Sequence, residues 1–267
     1  MTFKQKISLI AHTCALFGVM ATFKLLLWYV LRPKTHLVDV LDKVGVEQDR
    51  FDKLNPFLQY VLRPNIEDNF DERNSTDTKN NISRQELEMS DSEAQSHATQ
   101  YTTLPERFLR YLISHIGINY QEYDFVDIGC GKGRVLLVAS SFPFRSISGI
   151  ELSRPALEIA EKNIRTYRSA DQKCFNIHIR KVDARYFEPD IANTVYYFFE
   201  PFDTLILTAV LANLSSKLRG QGKMIYVVCV WRDLSSVVKL FEMHGFQAIR
   251  TQIMLFSIRS YAIFSLQ

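Results

Sequence analysis

From Ile7 to Phe23 the chain runs 17 residues without Lys, Arg, Asp or Glu. After Lys24 the apolar run resumes through Trp28 and Tyr29 to Leu31 and closes on Arg32-Pro33-Lys34. A helix needs about 20 apolar residues to cross a bilayer. Residues 1–34 therefore predict a hydrophobic N-terminal helix that spans a membrane, with Lys24 near enough to one end to snorkel and Trp28 and Tyr29 at the level of an aromatic belt. A buried helix, a secretory signal peptide cut near Val19-Met20-Ala21 and a helix lying flat at the interface are the alternatives. Leu37, Val38, Val40, Leu41 and Val44 then recur at helical spacing, and Phe57, Leu58, Tyr60, Val61 and Leu62 form a second apolar patch after Pro56. Residues 35–63 are thus expected as an amphipathic juxtamembrane segment. Residues 64–100 are rich in Asn, Asp, Ser, Glu, Thr and Gln. Such a composition buries too little apolar surface to offset ordering entropy, so an acidic flexible linker is expected.

From Tyr101 the pattern becomes that of a globular domain, 101–267. Residues 105–116 place Phe108, Leu109, Leu112, Ile113 and Ile116 on one helical face. Apolar runs then predict strands over 124–128, 146–151, 176–182, 194–199, 223–230, 247–254 and 257–264. Helical periodicity falls between them at 133–141, 155–168, 187–192, 203–218 and 234–244. Strand and helix alternation predicts an α/β fold, a seven-stranded mostly parallel sheet with helices on both faces. The short turn between the last two strands predicts an antiparallel terminal hairpin.

Charge changes this picture little. The net charge is +3, too weak to favour a nucleic-acid partner. It is uneven: residues 64–100 carry nine acids and three bases, and 101–267 carry twenty bases and fifteen acids. A solvated surface accounts for that, and an anionic partner is compatible with it. Cys14, Cys130, Cys174 and Cys229 include no CxxC pair and no His/Cys cluster at metal-ligand spacing, so free thiols and no metal are expected. The six histidines include no HxxxH or HExxH pair.

The candidate chemistry begins at Phe125-Val126-Asp127-Ile128-Gly129-Cys130-Gly131-Lys132-Gly133-Arg134. An apolar strand runs into GxGxG and directly into a helix. Glycines let a ligand approach the main chain, the helix start presents free N–H groups, and Asp127 stands at the carboxyl end of its strand, where open α/β sheets bind ligands. A dinucleotide fingerprint, GxGxxG, would need glycine where Arg134 stands. Ser148-Gly149-Ile150-Glu151 ends the second strand on an acid 24 residues after Asp127, able to accept both hydroxyls of a ribose. Ser153 suits an N-cap and Pro155 an early helical position. Val182-Asp183-Ala184 follows the third strand, and Glu200-Pro201-Phe202 the fourth.

GxGxG with an acid two residues before its first glycine resembles motif I of the class I S-adenosylmethionine (SAM)-dependent methyltransferases, whose Rossmann-like fold has the element order given above. The resemblance covers about 101–267, including Gly245-Phe246 before a late strand. It implies SAM as the cofactor, with Asp127 and the loop of Gly129, Cys130, Gly131 and Gly133 at its amino-acid end. Glu151 and Leu152 would lie at the ribose, and Asp183 and Ala184 at the adenine. It also places Pro201 and Phe202 beside the methyl acceptor. Amine-directed members of the wider family carry a polar residue, two prolines and an aromatic there. One proline and a carboxylate stand here, which argues against a DNA adenine or glutamine amide. Glu200 is the candidate catalytic residue, orienting or deprotonating an amine. Its alternative role is capping the next helix. The cofactor half is also similar to the non-SET histone-lysine methyltransferases, but their Asn-rich segment after strand four is absent, so the target does not carry over.

The expected function is a membrane-anchored methyltransferase acting on a protein lysine, a small amine or a lipid. A non-catalytic SAM-binding scaffold and a NAD-binding Rossmann protein are the alternatives. Lys4 and Lys6 nearly balance Lys24, Arg32 and Lys34 across the hydrophobic run. Because SAM is a cytosolic metabolite, the single-pass orientation expected is the one with the domain in the cytoplasm, and a signal peptide fits less well.

Overall fold

The structure, a computed structural model, describes residues 69–79, 82, 96–97, 101–252 and 260–266. The hydrophobic helix expected over 1–34 and the juxtamembrane segment over 35–63 lie outside the described residues. Among those described, no helix is long and apolar enough to cross a membrane.

The sheet is built from β1 (Asp124–Ile128), β2 (Ser146–Glu151), β3 (Ile177–Lys181), β4 (Thr194–Phe199), β5 (Ile225–Trp231), β6 (Gln247–Gln252) and β7 (Ser260–Leu266). Their order is β3-β2-β1-β4-β5-β7-β6. β1 lies parallel to β2 and β4, β2 to β3, and β4 to β5, whereas β7 runs antiparallel to both β5 and β6. The sequence pattern placed the antiparallel pair at the end of the sheet. The strand of opposite sense is in fact the inner member of that pair, and β6 forms the edge. Burial explains this order: β7 is buried at every position, whereas Ile249 and Arg250 of β6 are exposed.

The helices are α1 (Phe70–Asn74), α2 (Glu106–Ser114), α3 (Arg134–Ala139), α4 (Arg154–Thr166), α5 (Thr204–Leu218) and α6 (Leu234–Met243). Alternation along the strands divides the core. Val126, Ile128, Tyr196, Phe198, Val227 and Cys229 pack with Leu207, Leu211 and Leu214 of α5 and Val237 and Phe241 of α6. Phe125 and Tyr197 share the other face, their ring centroids 6.2 Å apart, and α3 and α4 pack against β1, β2 and β3. Ser153 caps α4 by accepting from the Ala156 N–H at 3.3 Å, with Pro155 in the first turn. Asp203 caps α5, its Oδ1 accepting from the Leu205 and Ile206 N–H groups at 3.0 and 3.2 Å, so the cap is not Glu200.

Two expectations fail locally. No helix forms over 187–192. A 3₁₀ turn at Ala184–Tyr186 precedes it, and Pro189 disfavours helical geometry at Glu188. The linker expected over 64–100 is folded in part. Phe70 and Thr78 are completely buried, Phe70 stacks on Tyr167 at 6.0 Å, and the Asp77 backbone exchanges hydrogen bonds with the Asn163 side chain at 2.8 and 2.9 Å. A segment with few apolar residues holds its place because its polar groups bond to the domain.

Candidate active site

A cavity of about 480 Å³ opens at the carboxyl ends of β1, β2, β4 and β5, within the usual range for small-molecule sites. One wall is Asp127, Gly129, Cys130 and Gly131; a second is Glu151, Leu152, Val182, Asp183 and Ala184; a third runs from Phe199 through Glu200, Pro201 and Phe202 to Asp203. Each wall is a strand end, so parallel alignment converts residues far apart in sequence into one rim.

Asp127 is 2% exposed, and no hydrogen bond from a described residue reaches its carboxylate. Burial, with the nearby Glu151 charge, pushes its proton affinity well above the ordinary carboxylate range. Glu151 is held by main-chain donors. Gly131 donates to Oε2 at 2.9 Å, and Leu152 and Ser153 donate to Oε1 at 2.8 Å each. Burial raises its pKa in spite of these bonds, which pull the other way. Cys130, also raised by burial, is a packed thiol without thiolate character.

Two glycines have φ values and neighbours that exclude a side chain. At Gly129, φ is +78° and a Cβ would meet Cβ of Pro201 at 2.4 Å. At Gly131, φ is +51° and a Cβ would meet the Tyr101 ring at 2.3 Å. Gly133 does not line the cavity. It precedes α3 with φ +84° and faces Ala160, whose Cβ would lie 3.4 Å from an added one.

Asp183 lines the cavity, but its carboxylate is engaged by Arg185, through the backbone N–H at 2.9 Å and Nη2 at 2.7 Å. Glu200 adopts φ 39°. Its N–H donates to the Val230 carbonyl at 3.2 Å, and its Oε1 accepts from the Arg232 N–H at 2.6 Å. It is thereby fixed to the end of β5. Asp203 also meets His97, Oδ2 to Nδ1 at 2.5 Å. Burial alone would raise the Asp203 pKa; His97 and the α5 N–H groups hold it below the usual range.

The sequence reading missed Tyr101, Thr102 and Thr103, the Trp231-Arg232-Asp233 end of β5, and Arg185, all on the lining. The β5 residues were accessible to the strand-end rule already used for β1, β2 and β4. Tyr101 belongs to no motif, and no local signal marks it.

A protein family described as "Putative methyltransferase" matches residues 121–202, the stretch that supplies Asp127, the glycine loop, Glu151, Asp183 and Pro201. The match over these residues supports a SAM-dependent methyltransferase domain. No curated protein matches the chain. Among solved structures this methyltransferase is similar to a SAM-dependent methyltransferase from Clostridium acetobutylicum ATCC 824, at 9% identity, 61% of this chain and 92% of that chain, TM-score 0.49. It is also similar to the N-methyltransferase NodS from Bradyrhizobium japonicum WM9, at 13% identity, 60% and 93% coverage, TM-score 0.45. A third is magnesium protoporphyrin IX methyltransferase from Synechocystis PCC 6803 with bound SAM, at 12% identity, 60% and 76% coverage, TM-score 0.44.

The cofactor of this methyltransferase is SAM, and the cavity suits it. A buried carboxylate with no donor among the described residues, Asp127, is what an ammonium group requires. A second carboxylate already oriented by main-chain donors, Glu151, can accept from ribose hydroxyls. Arg134, 2% exposed, fills the position where a dinucleotide fingerprint has its third glycine.

Proposed function

We propose that this methyltransferase transfers the SAM methyl group to an amine, either a protein lysine or a small amine, from a membrane-anchored domain on the cytoplasmic side. The observation that carries the acceptor class is the lining at the ends of β4 and β5. Glu200, Asp203 and Asp233 stand there among Phe199, Phe202 and Trp231. Carboxylates attract a protonated amine, and aromatic faces hold a cation by their quadrupoles.

In this reading Asp127 binds the ammonium end of SAM, Glu151 the ribose, and Ala184 and Leu152 the nucleoside. Asp183 shares its carboxylate between Arg185 and the adenine amino group. Bound SAM supplies an activated methyl group on a sulfonium. The chain's own contribution is placement, since holding two reactants in line supplies several kcal/mol of a transfer barrier. Glu200, held by the Arg232 N–H, orients the amine and accepts the proton its nitrogen must lose. Pro201 and Phe202 shape the approach. The hydrophobic run over 7–31 supports the anchor and favours an acceptor presented at a membrane.

The test is full-length protein incubated with methyl-labelled SAM and with membrane and soluble extracts, the products resolved by mass. Label on a lysine or another amine, enriched in the membrane fraction and reduced by Glu200→Gln, supports the proposal. Label on a carboxylate or hydroxyl, or SAM bound without turnover in any extract, refutes it. Release of the protein from membranes by alkaline carbonate would remove the anchor.

A further inference from the structure

The residues that follow the last two glycines, Lys132 and Arg134, are 3% and 2% exposed, and Arg134 reaches the cavity lining behind Tyr101. Burying two cations is expensive unless they are paired. Their partners come from the segment around α1. Lys132 Nζ lies 3.1 Å from Asp77 Oδ1. Arg134 Nε donates to Thr78 Oγ1 at 2.6 Å, its Nη2 lies 3.7 Å from Asp71 Oδ2, and its guanidinium sits over the Phe70 ring at 4.7 Å.

Asp71 completes the knot. It accepts from the hydroxyls of Thr76 and Thr78 at 2.7 and 2.6 Å and from the Thr78 and Lys79 N–H groups at 2.8 and 2.7 Å. The Thr78 carbonyl then accepts from the Tyr101 hydroxyl at 2.7 Å. The Tyr101 ring returns to the start of the circuit, since it lies against Gly131 and lines the cavity. The path is closed: glycine loop, Arg134, Thr78, Tyr101, glycine loop.

We propose that Tyr101 contacts the amino-acid end of the cofactor and that Arg134 is a positioning residue that sets Tyr101 through Thr78. Three observations support it. The ring rests on the loop beside Asp127. Its hydroxyl is turned outward to Thr78, so the cavity receives an apolar face suited to methylene and sulfur. The anchor is buried polar structure outside the sheet. The inference rests on SAM occupying this cavity, and it brings residues 69–79 into the cofactor site.

Two ligands separate the roles: S-adenosylhomocysteine, and 5′-methylthioadenosine, which has the nucleoside and sulfur but no amino-acid end. Both are titrated calorimetrically into full-length protein. Tyr101→Ala is expected to weaken S-adenosylhomocysteine about tenfold or more, roughly 1.4 kcal/mol, and to leave methylthioadenosine within about twofold. Arg134→Gln should match it. The double variant should be no weaker than the weaker single one, since the two residues act as a unit. Tyr101→Phe, which keeps the ring and loses only the anchor, should fall between. If Arg134→Gln does not fold by circular dichroism, Arg134→Lys and Tyr101→Phe carry the same comparison. Equal affinity of Tyr101→Ala and the native chain for S-adenosylhomocysteine overturns the inference, as does an equal loss for both ligands. Failure of the native chain to bind either ligand overturns the SAM site itself, a different result.

Discussion

Gly129 and Pro201 touch so closely that a methyl group on the glycine would lie 2.4 Å from Cβ of the proline. The first belongs to the glycine loop after β1, the second to the segment after β4 that is proposed to face the acceptor. The glycine loop and the β4 segment are therefore in van der Waals contact through one residue pair, and the distance between them has little slack.

Gly129→Ala should consequently disturb both. The left-handed backbone there costs an alanine about 1–2 kcal/mol, and overpacking adds about 1–3 kcal/mol. Urea unfolding should show a loss of about 2 kcal/mol or more, with weakened S-adenosylhomocysteine binding. Unchanged stability would mean that the Pro201 segment gives way freely.

Asp127→Asn should separate binding from folding. Hydrogen bonds to a charged group contribute about 1.5–3 kcal/mol, so S-adenosylhomocysteine affinity should drop about 10- to 100-fold. The ligand-free variant should be at least as stable as the native chain near neutral pH, because a buried carboxylate without a donor has been removed. A large drop in melting temperature would show instead that Asp127 has a structural partner.

The sign of the pH effect follows from the raised pKa of Asp127. In the folded chain it keeps its proton above the ordinary value of 3.8, so the folded state binds more protons than the unfolded one. Ligand-free stability must then fall as pH rises from about 3.8 through the folded value, and Glu151, also raised, adds to the slope. A bound ammonium favours the ionised carboxylate, so ligand binding should release protons and tighten with pH over that window. Calorimetry in buffers of different ionisation enthalpy reads this directly. Asp127→Asn should abolish most of the proton release.

Asp71 should behave in the opposite way. Burial would raise its pKa, but hydrogen bonds from Thr78 and Thr76 and the Arg134 charge outweigh burial and hold it below 3.8. Its stabilisation is present above about pH 3.8 and is lost as pH falls through the folded value. Asp71→Asn should cost about 1–3 kcal/mol at pH 7, with the gap closing in acid. A gap independent of pH would assign the effect to packing.

The sheet was legible because its strands are short apolar runs bounded by polar residues, and β1, β2 and β4 begin and end where the pattern placed them. Asp127, Glu151 and Pro201 could be brought together on paper because strand ends in a parallel sheet share one edge. What escaped was non-local and polar. Nothing in Asp71-x-x-x-x-Thr76-Asp77-Thr78 announces that its carboxylates and hydroxyls will receive buried cations from a loop more than fifty residues later. A composition reading sees only hydrophilic residues there. The position of β7 escaped for a related reason, since a hairpin pattern fixes the pairing of two strands but not which of them joins the sheet.

That placement of β7 has a consequence for folding. β6 reaches the rest of the sheet only across β7, although it is made first. Until residues 260–266 take their place, both β5 and β6 have unpaired edges, a state prone to self-association. The sheet is therefore completed only when β7 inserts between two strands made before it.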